Sequence, residues 1–88
     1  MKLKYNFVVN QVAENTVAVA VGDDVTKFNG FIKMNDTGAE IFNLLKKDIS
    51  MEELVSEMIK LYPEDDADKI RASVEDFVGK LKASEVLE

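Results

Sequence analysis

Carboxylates are the only side chains in this sequence with the types and spacing for acid–base chemistry. They come in short groups: Asp23/Asp24, Glu52/Glu53, Asp65/Asp66/Asp68 and Glu75/Asp76. A carboxyl acts as a general acid near neutral pH when an apolar pocket raises its pKa. Each of these groups instead falls in a turn, at a helix end or on a helix face, where solvation or capping explains it. Asp65-Asp66-x-Asp68 lacks the alternating acid–glycine spacing and the distant Glu of a calcium loop. The chain has neither Cys nor His, which removes thiolate nucleophiles, imidazole bases and the usual zinc ligands together. Ser50 lies between Ile49 and Met51, three residues before Glu53, a spacing that reads as a helix-capping box rather than as an attachment site for a prosthetic arm. No glycine-rich phosphate loop is present. The expectation is a protein that is not an enzyme and that carries no metal or cofactor.

Length and charge bound what remains. Eighty-eight residues make one small domain, taken here as 1–88, with a modest core. No apolar run approaches the length needed to span a bilayer, and no signal-like segment opens the chain. The cytoplasm, without membrane attachment, is the expected location. The net charge of −6 is unevenly placed: residues 1–34 carry +1 and residues 35–88 carry −7. An acidic second half argues against a nucleic-acid partner.

The elements change character midway. Residues 5–11 read as a first strand, with Tyr5, Phe7 and Val9 on one parity. Ala13-Glu14-Asn15 is turn-prone. Thr16–Val21 reads as a second strand, with Val17, Val19 and Val21 on one face and Ala18 and Ala20 on the other. Small residues on that second face imply either close cover or solvent. Gly22-Asp23-Asp24 is a loop whose Gly suits a positive φ. Val25–Met34 is the third strand expected. Phe28, Gly30, Ile32 and Met34 share one parity, and Lys27, Asn29, Phe31 and Lys33 the other. Phe31 then either packs on a neighbouring strand, is turned inward by a bulge at Gly30, or stands as an aromatic handle on an edge strand guarded by lysines.

Three helices follow. Asn35 or Asp36 caps the first, over Asp36–Lys46, where Ile41, Leu44 and Leu45 share a face. Ser50 starts the second, with Leu54, Met58 and Leu61 as its inner stripe, and Tyr62-Pro63 ends it. The third runs over Ala67–Ser84 with Ile70, Val74, Phe77 and Leu81 as its core stripe. At 100° per residue, Val78, Arg71, Glu75 and Lys82 lie to one side of that stripe, and Lys80, Ser73 and Lys69 to the other. Val78 either widens the core stripe or lines one wall of a groove. Val86-Leu87 is an apolar tail able to fold back or add a strand. The fold class expected is α+β: a three-stranded antiparallel sheet followed by three helices, resembling a winged helix-turn-helix.

One stretch carries a family resemblance. Met34-Asn35, Thr37-Gly38-Ala39 and Ile41-Phe42-x-Leu44-Leu45 resemble the opening of the first helix in the PqqD-like family, with Gly38 where a second small residue, usually Ala, is expected. That family includes protein D of pyrroloquinoline quinone biosynthesis and related precursor-peptide recognition domains. The order of elements extends the likeness over nearly the whole chain, although Ser84-Glu85-Val86-Leu87 departs from the family's usual ending. The resemblance implies a protein that binds the leader part of a precursor peptide and presents it to a modifying enzyme, often a radical S-adenosylmethionine enzyme. It implies that the peptide adds as a strand beside the third strand and lies against the third helix. Carried onto this sequence, the peptide-binding residues are Lys27, Asn29, Phe31 and Lys33 on the strand, and Arg71, Val78 and Lys82 on the helix. The basic side chains among them suit acidic residues in the peptide. An exposed third strand is compatible with a monomer or with a homodimer paired along that edge. The competing functions are a winged-helix transcription regulator, which the acids at the start of the third helix disfavour, and a scaffold or chaperone subunit for a folded partner.

Overall fold

The computed structural model describes residues 1–28 and 30–88; Asn29, one of the expected site residues, lies outside them. The architecture is the expected α+β arrangement. Strands β1 (Phe7–Val12), β2 (Asn15–Ala20) and β3 (Phe31–Met34) form one antiparallel sheet in the order β1-β2-β3. Helices α1 (Asp36–Leu44), α2 (Met51–Leu61) and α3 (Ala67–Ala83) follow.

The β1–β2 hairpin turns on Ala13-Glu14, with Val12 opposite Asn15. Ala13 has φ 56°, a left-handed conformation that costs a residue with a Cβ about 1 kcal/mol. Ala18 and Ala20 are buried and join the same core cluster as Ile41 and Phe42, so close cover, not solvent, is why that face is small.

The expected strand over Val25–Met34 is corrected. Residues Gly22–Thr26 form a short 3-10 helix, and the strand begins only at Phe31. The reason is local hydrogen bonding by an acid. The Asp24 carboxylate accepts from the Asn6 backbone N–H at 2.7 Å, and its carbonyl accepts from Lys27 and Phe28 N–H at 3.0 Å. With its carboxylate tied to Asn6 and its carbonyl to Lys27 and Phe28, Asp24 holds this segment in a turn and out of the ladder. Phe28 stays inside, its ring 5.5 Å from Phe7, and Phe7 in turn meets Phe42 of α1 at 5.3 Å. Gly30 then redirects the chain with φ 113°, a value that other residues resist.

The helix starts follow the sequence. Asn35 caps α1, its Oδ1 accepting from Gly38 N–H at 2.8 Å. Ser50 and Glu53 form a reciprocal capping box on α2. Asp66 caps α3 by accepting from Asp68 N–H at 2.8 Å, which accounts for part of the acidic group there. The apolar tail folds back. Val86 is fully buried, its carbonyl accepts from Lys4 N–H at 2.7 Å, and Leu87 bridges Leu3. The core is continuous from Phe7 and Ala18 through Phe42 and Leu54 to Val74, Val78 and Leu81. Among the described residues, no helix is long and apolar enough to cross a membrane.

Candidate functional site

β3 pairs with β2 on one side only, in the register Phe31 opposite Val19 and Lys33 opposite Val17. Its other edge is unpaired among the described residues. In an antiparallel ladder alternate residues direct both backbone groups to the same side. A four-residue strand therefore has about two residues whose N–H and C=O point away from β2.

Beside β3 a groove opens between α1 and α3. One segment, about 310 Å³, is lined by Lys33 and Met34 of β3, Gly38 of α1, and Ser73, Phe77 and Lys80 of α3. A second cavity of about 400 Å³ shares Thr37 and Ser73 in its lining; Tyr62 and Lys69 belong to it. Met34 and Gly38 are buried, and Phe77 is half-buried. Lys80 lies 3.4 Å from Asp76 one turn earlier in an exposed pair. Lys33 makes no ion pair among the described residues.

The expected site residues separate into two groups. Lys33 lies on the groove. Phe31 lies on the outer face of the sheet, 63% exposed and opposite Val19, which is itself opposite Val8. Gly30 does not turn it inward. Lys27 is off the strand, closing the 3-10 helix with its ammonium 3.5 Å from Asp24.

On the helix side the three expected residues lie outside the lining of this groove. Val78 is 1% exposed and belongs to the core cluster, so it widens the core stripe and has no surface for a groove wall. The Arg71 guanidinium is held by Glu52 of α2, Nη1 donating to Oε1 at 2.9 Å and Nη2 to Oε2 at 3.0 Å. Those hydrogen bonds and the guanidinium charge hold the Glu52 carboxyl below its ordinary pKa and raise that of Arg71. Lys82 is exposed and follows Arg71 around the same flank of the helix. The residues that do face β3 are Ser73, Phe77 and Lys80, on the opposite flank. Their angular position was visible in the sequence; what was missing was the pairing of Glu52 with Arg71, which assigns the other flank to α2.

The described residues contain no group of three or more acids placed to hold a metal. The carboxyls with displaced pKa values, Glu52 and Asp48, are shifted downward by cations rather than upward by burial, the wrong direction for a general acid near neutrality.

Residues 12–87 match the family of coenzyme PQQ synthesis protein D (PqqD). Among solved structures, the chain is similar to TbiB1 in complex with the TbiA(beta) leader peptide. The two are 22% identical with a TM-score of 0.71, over 100% of this chain and 95% of that one. At that identity the likeness is one of fold. No curated protein matches the chain.

Proposed function

The chain belongs to the PqqD family, and from that premise we propose that it is a non-catalytic recognition protein for the leader of a ribosomally made precursor peptide. The leader adds as a strand along β3, its side chains enter the groove against α3, and the complex is presented to a modifying enzyme of the radical S-adenosylmethionine kind. Residues 1–88 act as one peptide-recognition domain. The pathway is synthesis of pyrroloquinoline quinone or of a related peptide product.

The observation that carries this reading is a strand edge unpaired among the described residues, beside an open groove lined by Lys33, Phe77 and Lys80. Strand addition supplies main-chain hydrogen bonds, and pockets for alternate side chains supply selectivity. The same fold in TbiB1 is seen with a leader peptide. Two outward residues on β3 offer about four backbone hydrogen bonds worth about 1 kcal/mol each, and ordering the peptide offsets much of that. Side chains therefore decide affinity. Lys33, Phe77 and Lys80 supply them in the groove, and Phe31 supplies an aromatic neighbour for whichever peptide residue faces outward across from it. A duplex-DNA reading would have to set Glu64, Asp65 and Asp66, at the start of α3, against phosphates.

The test is capture. Tagged protein exposed to its host lysate is washed, and what it retains is sequenced by mass spectrometry. A short peptide encoded beside a modifying enzyme, which then binds the purified protein directly, is the expected result. Retention of a folded protein and no peptide would favour the scaffold reading instead.

A further inference from the structure

We infer that the groove segment between Lys33 and Lys80 is a subsite for a glutamate side chain of the bound peptide. This deepens the reading above and rests on it. The segment departs from the charge of the molecule around it. The chain carries −6 overall, yet here two lysines face one acid, Asp76. The Lys80–Asp76 pair is exposed on both sides, 73% and 70%, and such pairs are weak and easily exchanged. Lys33 has no acidic partner among the described residues. An incoming carboxylate thus meets one ammonium that is unpaired and a second that is loosely held.

The floor selects the length of the acid. The segment's apolar lining is the half-buried Phe77, with little added by Met34 and Ile41, which are 5% and 1% exposed. A Cβ on residue 38 would stand 3.1 Å from the edge of the Phe77 ring and 3.1 Å from the Met34 Cβ. The absence of that carbon leaves room for the Phe77 ring edge close to α1, and the half-buried ring is the apolar shelf of this segment beside the two lysines. A glutamate places two methylenes on such a shelf before its charge begins; an aspartate places one. Gly38, where the sequence departs from the pattern it resembles, is accordingly tied to the position of Phe77. The exposed Lys82 of the opposite flank has no comparable shelf, since the apolar residue beside it, Val78, is buried.

The experiment is selection of a displayed library of randomised linear peptides on the full chain, beside the Lys33→Glu/Lys80→Glu variant. The expected wild-type result is enrichment of Glu at one fixed position, ahead of Asp. In the variant that position should change to Lys or Arg. A synthetic copy of a selected peptide should lose about threefold in affinity when its Glu becomes Gln. Phe77→Ala should keep the acidic preference and lose the advantage of Glu over Asp. An exchange of specificity is not something a misfolded variant produces. Enriched peptides with no acid at a fixed position, or an acidic preference unchanged in the variant, would overturn the subsite and leave peptide recognition standing. Selection of no peptide by the wild type would overturn both.

Discussion

The two flanks of α3 have the same ingredients and different fates. One flank carries Arg71 and Lys82 beside Val78; the other carries Lys69 and Lys80 beside Phe77. On the helix taken alone either could border a groove. In the folded chain the first is closed: Val78 is buried, and Arg71 is clasped bidentately by Glu52 of α2. The second is open, with Ser73, Phe77 and Lys80 lining space beside β3. The difference teaches that a helix's functional face is assigned by its neighbours. A single acid nineteen residues away distinguishes the basic residue that fastens the fold from the one left over for a ligand.

Substitutions on each flank test this contrast, and the largest effect belongs to the closed one. Val78→Ala removes two buried methyl groups and leaves a cavity, so it should cost about 2 kcal/mol of stability in urea denaturation. The surviving folded protein should bind peptide as before. Reversing charge on the open flank should do the opposite. Lys33→Glu with Lys80→Glu should reduce affinity for an acidic leader about tenfold with little change in the denaturation midpoint, whereas Lys82→Glu should leave affinity within about a factor of two. If Lys82→Glu weakened binding as much as the double change, the two flanks would be equivalent and the distinction lost.

A smaller effect marks a helix start remote from the groove. Ser50→Ala removes the oxygen that accepts from Glu53 N–H at 3.1 Å, and should lower stability by about 1 kcal/mol without altering peptide selection. The smallest is the pH dependence of the clasp. The folded-state pKa of Glu52 is depressed, first by its hydrogen bonds from Arg71 and then by the guanidinium charge. Its contribution is therefore complete above the ordinary glutamate pKa and is lost as pH falls through the lower folded-state value. Glu52→Gln should reduce stability slightly at neutral pH and flatten the acid limb of the stability curve. The pair is surface-exposed, so the change should be modest and should shrink further in salt.

The fold was legible because its local signals agreed. The Ser50–Glu53 box, Pro63 and the Asn35 cap marked helix ends, and the alternation Val17-Ala18-Val19-Ala20 marked a strand, whose small face the sequence left open between cover and solvent and the structure buries. The third strand was legible only in its second half. Val25 to Phe28 has a plausible strand composition, but Asp24 ties that segment to Asn6 through a bond across eighteen positions. Lys33 entered as a strand residue through the family resemblance, and the structure places it in the lining of the groove. Exposure of Phe31 was one of three readings that its parity left open, and the structure shows it. Phe77 was placed in the core stripe, and the structure makes it half-buried shelf and half core, a division that depends on the missing carbon of Gly38. Lys80 carried no signal apart from its angle, since choosing between angles requires knowing where α2 lies.

The most direct test of the account is an amide and side-chain NMR map of the labelled protein titrated with the peptide it captures. Strand addition between β3 and the open flank predicts slowed amide exchange within Phe31–Met34, with the largest shifts at Lys33, Ser73, Phe77 and Lys80. The amides around Arg71 and Lys82 should stay in place. Shifts centred on Arg71 and Lys82, with exchange in β3 unchanged, would contradict it.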